Sequence, residues 1–282
     1  MISLLSLPSP PSPILFEVGP LALRYYGLMI ALGIAVGTWL AGKELARRGY
    51  DSELALDSLF YIIPPGFIGA RIYHVSTNYG DYAGHPLQLF AVWNGGLGIY
   101  GAVAGGLLGA YLFCRSRGLG LLTFADSVAP GLIIGQAIGR WGNYFNQELF
   151  GRPSDLPWAI RIAPENRPPG FENAESFHPT FLYESIWNLL VALFLLWVAR
   201  RLASRLKAGD VFVLYVALYS TGRVFMEFLR IDPAFIIGGS LRGNLLVSSL
   251  LAVTFALLFM MRHARGTSGR KPGAHGQGSR GR

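Results

Sequence analysis

Charged side chains are scarce in this sequence. Aspartate, glutamate, lysine and arginine together make up 14% of its 282 residues, whereas a soluble domain has about 25%. The single cysteine, Cys114, excludes an internal disulfide and is predicted to be a packed thiol at the end of an apolar segment. The sequence also lacks the Cys and His spacings of a metal site and the glycine-rich loop of a nucleotide site. We therefore exclude a soluble domain and expect neither a metal nor a cofactor.

Long apolar runs take the place of the missing charges. Hydrophobic residues make up 52% of the chain, and its mean hydropathy is +0.40. Runs near the ~20 residues needed to cross the hydrocarbon core recur along the sequence. The predicted spans are 21–41, 56–75, 97–114, 121–141, 181–199, 211–230 and 244–261. This pattern predicts an all-α integral membrane protein, a bundle of about seven transmembrane helices. They form one polytopic domain, 1–262, with an extracytoplasmic loop at 143–180.

Positive charge is distributed unevenly between the two ends of these spans. Lysines and arginines follow spans one, three and five and recur from Arg262 onward, whereas segment 76–96 has none. Short cytoplasmic loops carry the excess of Lys and Arg, so the N-terminus is predicted outside and the C-terminus in the cytoplasm. Residues 263–282 are predicted to form a disordered, basic cytoplasmic tail. This topology explains the net charge of +8, and we expect no nucleic-acid partner.

Four arginines remain after topology is explained, and all fall in the predicted outer half. They are Arg24, Arg71, Arg140 and Arg223. A charge at membrane depth costs roughly 2.5 to 3.5 kcal/mol on insertion scales, so it indicates a function or a buried partner. For Arg24 and Arg71, an arginine that snorkels to the interface or pairs with an acid is an equally good explanation.

Span six carries a polar stripe that is harder to explain by packing alone. Its members share one helix face at i, i+4, i+8 and i+11; they are Tyr219, Arg223, Glu227 and Arg230. Such a stripe must face protein or water. Asp126 and Glu184 are further acids predicted at membrane depth. Four arginines against Asp126, Glu184 and Glu227 leave one positive charge that an anionic ligand would neutralise.

The segment GRWGNYFNQELFG, residues 139–151, places an arginine, two asparagines and a glutamate at the end of span four. It resembles the signature of the bacterial prolipoprotein diacylglyceryl transferase family. Other blocks resemble the family in the same order: RYYG, GARIYHV, WNGGLGIYG, HPTFLYE and GRVFMEFLR. The resemblance covers most of the chain. It implies a multi-pass protein of the bacterial cytoplasmic (inner) membrane with its active site toward the outer leaflet.

The resemblance also implies a reaction. The sn-1,2-diacylglyceryl group of phosphatidylglycerol is transferred to the lipobox cysteine in the signal peptide of a prolipoprotein, giving a thioether and glycerol phosphate. Membrane lipid is thus both surroundings and substrate. The site must stabilise negative charge on phosphate oxygens, which the planar guanidinium group binds bidentately. We assign Arg140 and Arg223 to this role, with Asn143 and Asn146 orienting the head group.

The attacking sulfur must be a thiolate, and a free cysteine has a pKa near 8.5. Many members of the family have a histidine after WNGGLGI, proposed as the base, where this sequence has Tyr100. A tyrosine with a pKa near 10 is a poor base, so Tyr100 is predicted to act through a hydrogen bond. The base is then Glu148, Glu184 or Glu227, or the arginines lower the pKa of the thiol themselves.

The remaining predicted site residues match the family position by position. Tyr26 and Tyr219 match tyrosines important in the family, and interface-belt aromatics are the alternative for both. Gly151 closes the signature, where a helix C-cap is the alternative. Arg71 and Glu184 are predicted to contribute to substrate binding.

A membrane transporter or channel for an organic anion is the alternative function. A transporter needs polar groups that reach both membrane faces in turn. The unexplained arginines collect near one side, which favours the transferase.

Overall fold

A computed structural model describes residues 7–10, 12–19, 21–82, 84, 86–231, 236–237 and 241–264. Within these ranges, each predicted span corresponds to one long helix. The helices are α1 (Tyr25–Arg47), α2 (Leu54–Thr77), the one-turn α3 (Tyr79–Tyr82), α4 (Ile99–Arg117), α5 (Leu121–Asn146), α6 (Thr180–Arg201), α7 (Asp210–Leu229) and α8 (Gly243–Ala264). The predicted tail, 263–282, lies outside the described residues except for the end of α8.

The helical membrane class is confirmed. Five of the described helices, α1, α5, α6, α7 and α8, are long and apolar enough to cross a membrane. The remaining long helices are α2, which contains Pro64 and Pro65, and α4, which contains several glycines. The count of seven crossings and the outside N-terminus stay predictions.

Short strands, which the all-α prediction did not include, flank the bundle. The described strands form three antiparallel pairs: β1 (Ile14–Val18) with β2 (Leu21–Arg24), β3 (Ile160–Arg161) with β4 (Ser176–Phe177), and β5 (Ile236–Ile237) with β6 (Leu241–Arg242). The predicted start of span one at residue 21 is therefore wrong, because β2 occupies the first four residues. Gly19 has a φ of +58°, which glycine adopts without steric cost, and this lets β1 fold back onto β2.

The long helices pack in pairs through glycine contacts. In the pair of α1 with α5, a Cβ atom on Gly33 would lie 2.9 Å from the carbonyl oxygen of Gly135. In the pair of α2 with α4, Gly69 and Gly101 face each other even more closely. Such backbone approach requires residues without a side chain. Helix α6 then links α5 to α7, and α8 packs on α7.

The helix ends rich in Lys and Arg are joined by buried acids. Glu44 is fully buried; its carboxylate lies 2.9 Å from Nη1 of Arg48 and 3.2 Å from Nη2 of Arg200. These contacts tie the end of α1 to the end of α6. They fix the bundle at the end predicted to be cytoplasmic.

Asp126 belongs to this same end, which corrects its inclusion among the acids that face the arginines. Its Oδ2 accepts the backbone N–H of Gly209 at 2.7 Å, and its Oδ1 accepts that of Phe212 at 2.9 Å. Asp126 therefore caps the start of α7, where free N–H groups favour a negative charge. It lies 14 residues before Arg140 on α5, about 21 Å along the helix axis.

The pair of α2 with α4 meets the other helices in an apolar cluster near this end. The buried members are Ala41, Leu45, Ala55, Phe113, Cys114, Leu119 and Phe124. Cys114 is 3% exposed, as expected for a packed thiol. Next to this cluster, α1, α2 and α5 border an apolar cavity of about 360 Å³ that is open at the surface of the bundle, here called the apolar wedge. Its lining includes Ile30, Ile34, Ile63, Leu132, Gln136 and Gly139.

Candidate active site

One buried carboxylate binds arginines from two neighbouring helices. Oε2 of Glu184 on α6 lies 2.6 Å from Nη2 of Arg140 on α5, and its Oε1 accepts a hydrogen bond from Nη1 of Arg223 on α7 at 2.9 Å. The Glu184 side chain is 5% exposed, and the arginines are 17% and 16% exposed. Charge-assisted contacts of this length are strong, and a poorly hydrated site strengthens them further. Three consecutive long helices are thereby joined at one point.

Further charged side chains extend this contact along α7. Nη1 of Arg230 lies 3.8 Å from Oε1 of Glu184. Glu227 stands one turn after Arg223, with Oε2 4.0 Å from Nη2 of that arginine. The polar stripe predicted on span six therefore does face protein. The arginine–glutamate cluster, as we call it, consists of Arg140, Glu184, Arg223, Glu227, Arg230 and Arg242.

Arg242 on β6 is the member of this cluster that the sequence analysis missed. Its Nη1 lies 3.5 Å from Oε1 of Glu227 and donates to the carbonyl oxygens of Glu227 and Arg230 at 3.1 and 3.2 Å. It thus compensates the free carbonyl groups at the end of α7, where a cation is favourable. A signal was present in the sequence, because Arg242 is a lone arginine between spans six and seven at the predicted outer side.

The signature segment forms the end of α5 and a sharp turn after it. Gln147 and Leu149 have positive φ angles of 49° and 57°, which are uncommon for residues other than glycine. This turn brings Glu148 back over the helix end. Its Oε1 accepts hydrogen bonds from Nδ2 of Asn143 at 2.9 Å and Nδ2 of Asn146 at 3.2 Å. Glu148 is therefore held by two neutral amides.

Gly151 places the signature turn against the end of α7. A Cβ atom there would lie 2.9 Å from both Cβ of His178 and the carbonyl oxygen of Leu229, so only glycine fits. Its N–H donates to the carbonyl oxygen of His178 at 2.9 Å, and Gly151 forms an antiparallel bridge with Arg230. Gly151 thereby sets the position of Arg230 relative to the signature.

The two predicted site tyrosines outside α4 lie close to these elements. Tyr26 at the start of α1 packs on the signature, since a Cβ atom on Gly142 would lie 2.6 Å from its ring. Tyr219 lines a small cavity together with Glu184 and Arg223.

Arg71 and Tyr100 make their described contacts elsewhere, on the pair of α2 with α4. Arg71 donates to four backbone carbonyl oxygens at 2.5 to 3.0 Å, those of Gln88, Leu89, Gly95 and Gly96. The Tyr100 ring, 54% exposed, packs against Tyr73 with ring centroids 5.6 Å apart. Arg24 is exposed at the end of β2.

The fold and the site define a helical membrane protein with a buried cluster of arginines and glutamates suited to an anionic ligand. The profile of the prolipoprotein diacylglyceryl transferase family matches residues 13–261. The chain belongs to this family, which confirms the resemblance of its signature.

Several relatives named phosphatidylglycerol–prolipoprotein diacylglyceryl transferase are similar over nearly the whole chain. The relative from Frankia alni is 49% identical over 264 residues, covering 91% of this chain and 68% of the relative. The relative from Trichormus variabilis is 45% identical over 250 residues, 88% of each chain. The relative from Synechococcus elongatus is 42% identical over 262 residues, covering 92% of this chain and 90% of the relative.

Replacing Glu184 by glutamine tests the energetic role of this carboxylate. Glu184→Gln removes the negative charge shared by Arg140 and Arg223, and breaking a buried ion pair costs roughly 3–5 kcal/mol. We expect a clear fall in the thermal midpoint of the purified protein in detergent. The control is Asp57→Asn, which removes a 2.7 Å salt bridge to Arg117 between side chains 41% and 45% exposed, worth about 0–1 kcal/mol. Equal shifts for the two variants would contradict the central role of Glu184.

Proposed function

We propose that this protein transfers the diacylglyceryl group of phosphatidylglycerol to the lipobox cysteine of a prolipoprotein, and that transfer takes place at the arginine–glutamate cluster. The observation that carries the proposal is the pairing of Arg140 and Arg223 with one carboxylate, Glu184. This pairing holds two guanidinium groups side by side beneath the signature turn. Membership of the family supports the reaction.

The chemistry of the transfer explains why two arginines are needed. The cysteine sulfur forms a bond to a glycerol carbon while the bond between that carbon and a phosphate oxygen breaks. The departing glycerol phosphate then carries more negative charge than the diester did. Each guanidinium group has five N–H donors, of which its contact with Glu184 uses one or two. The other donors are proposed to bind the phosphate more strongly as it leaves, which lowers the barrier to transfer.

The apolar wedge is proposed to hold the acyl chains. Its lining reaches Gly139 on α5, and the next residue, Arg140, contacts Glu184 on α6; a lipid with its chains in the wedge is proposed to place its head group past this end of α5. A phospholipid has the same arrangement, with hydrocarbon chains joined to an anionic head group. Among the residues that line the wedge, Ile30, Ile34 and Ile63 illustrate its apolar character.

The contacts of the three candidate bases differ. Glu184 is committed to two arginines at 2.6 and 2.9 Å, so both of its carboxylate oxygens are already occupied. Glu227 has looser ionic contacts, 3.5 Å to Arg242 and 4.0 Å to Arg223. Glu148 is held by neutral amides. We therefore propose Glu148 as the group that accepts the thiol proton, and Glu184 as the group that positions the arginines.

We also infer that the seven long helices all cross the cytoplasmic membrane, with the N-terminus outside and the cluster toward the outer leaflet. The support is that the cluster lies at the end of α5 opposite Asp126, Glu44 and the Lys- and Arg-rich helix ends. At that basic end, the buried acids Glu44 and Asp126 are already bound to arginines and to a helix terminus, respectively. This does not favour an anion transporter, which needs polar groups accessible from both faces.

The activity can be measured with purified protein, phosphatidylglycerol and a lipobox peptide. We expect the peptide to gain the mass of one diacylglyceryl group. Arg140→Lys keeps the charge but loses the planar fork, and loss of one such donor costs roughly 10²–10³ in rate. The matched control is Arg161→Lys, at an exposed arginine of β3, which should keep its rate. The assignment of the site is wrong if Arg140→Ala and the wild-type protein give the same yield.

The role of Glu148 can be tested by the pH dependence of the rate. A base is needed only while the thiol is protonated, and a thiol with a pKa near 8.5 is roughly 30-fold less ionised at pH 7 than at pH 10. Glu148→Gln should therefore be strongly impaired at pH 7 and recover much of the wild-type rate at pH 9.5. Arg140→Lys should show no such recovery. A deficit of Glu148→Gln that is equal at both pH values would rule out the proposed base.

The wedge can be tested with lipids of different chain length. Ile63→Trp adds volume to its lining, and overpacking of a filled site costs about 1–3 kcal/mol. We expect kcat/KM to fall roughly 10-fold or more for phosphatidylglycerol with long chains, and to fall much less for the dioctanoyl lipid. The control is Ile68→Trp on the same helix, at a position that does not line the wedge. A similar loss for both lipids would show that the chains do not occupy the wedge.

A further inference from the structure

The segment between α2 and α4 turns back along α2. The N–H of Gly98 donates to the carbonyl oxygen of Ala70 at 2.9 Å, and Arg71 binds carbonyl groups of residues 88, 89, 95 and 96. Helix α2 continues to Thr77, seven residues beyond Ala70. With a rise of 1.5 Å per residue, the segment therefore contacts α2 about 10 Å before the end of that helix, measured along the helix axis.

Three large apolar side chains on this segment are uncovered. Leu87 is 84% exposed, Phe90 is 75% exposed and Trp93 is 81% exposed. No Asp, Glu, Lys or Arg occurs in residues 86–98. Leaving such area in water costs roughly 25 cal/mol for each Å², so an exposed apolar group of this kind marks a surface that contacts lipid or protein.

Several backbone carbonyl groups of the segment form hydrogen bonds within the protein, as an apolar medium requires. The segment contains two short 3-10 helices, Pro86–Phe90 and Val92–Asn94. Backbone that is not α-helical is tolerated at membrane depth only where its polar groups find partners within the protein. Arg71 supplies such partners for four carbonyl groups at once, and its guanidinium group also lies 5.2 Å from the Tyr82 ring centroid. An arginine whose donors are used in this way has few left for a substrate.

We propose that residues 86–98 form an interfacial loop that inserts Leu87, Phe90 and Trp93 among the acyl chains of the adjacent leaflet, with Arg71 holding the loop at that depth. The partner is the phospholipid bilayer. A tryptophan is well suited to this depth, because its ring prefers the boundary between head groups and acyl chains. This role for Arg71 is independent of the transferase activity.

The proposal can be tested with a fluorescent probe on single cysteines in proteoliposomes. Phe90→Cys and Trp93→Cys, each combined with Cys114→Ala, are labelled with the environment-sensitive dye NBD. The matched control is Asn173→Cys, at an exposed position of the loop between β3 and β4. We expect blue-shifted emission at positions 90 and 93, quenched by doxyl-labelled phospholipid. The probe at position 173 should be quenched by aqueous iodide instead.

Probes at positions 90 and 93 that behave like the probe at position 173 would overturn the insertion. The anchoring role is tested by adding Arg71→Gln to the Trp93→Cys protein, which should reduce quenching by doxyl lipid and increase quenching by iodide. Unchanged quenching in that variant would overturn the role of Arg71. Both tests read the position of the loop directly, so their outcome does not depend on whether the protein transfers lipid.

Discussion

The contact between Glu184 and the arginines Arg140 and Arg223 joins three helices of this protein at the proposed site. The three side chains come from α6, α5 and α7, and each is largely buried. An isolated guanidinium group at this depth would be costly. A carboxylate that touches both arginines lowers that cost and also fixes their separation. The same contact therefore stabilises the bundle and prepares two donors for an anion.

The surrounding elements depend on this contact. The signature turn places Glu148 over the end of α5, and Gly151 brings that turn against the end of α7. On the other side of Arg140, the apolar wedge begins at Gly139. An apolar cavity, a cationic group and a carboxylate thus follow one another within a few residues of one helix. This order suits a reaction in which an acyl glycerol, a phosphate and a thiol must meet.

Much of this arrangement could be predicted from the sequence, because a charge within an apolar span is conspicuous. Arg140, Glu184, Arg223 and Glu227 were all identified in this way, and the structure brings them together. The ion pairs that these residues form could not be predicted from the sequence. Which acid meets which arginine depends on how α5, α6 and α7 pack against one another, and the sequence pattern does not specify that packing.

Asp126 and Arg242 illustrate this difference. Asp126 was counted with the acids at the arginines, but the N–H groups at the start of α7 bind it at the other end of α5. Arg242 was missed because it precedes a span, where a basic residue is easily explained as a flanking charge. Its role depends on the fold of β6 beside the end of α7. The charge of such a residue can be recognised in the sequence, but its role follows from the backbone groups that it contacts in the fold.

The two ends of the bundle use the same kinds of residue for different purposes. At the basic end, Glu44 contacts arginines from its own helix end and from α6, and Asp126 is bound by backbone N–H groups. Glu44 thereby connects the ends of α1 and α6, and Asp126 connects α5 to the start of α7. At the other end, Glu184 and Glu227 are set among four arginines, and Arg140 directly follows Gly139 of the apolar wedge on α5. In the proposed reaction, closure at one end and a cluster of cations at the other give a site that lipid reaches from a single leaflet, which is the geometry required when a lipid supplies the transferred group.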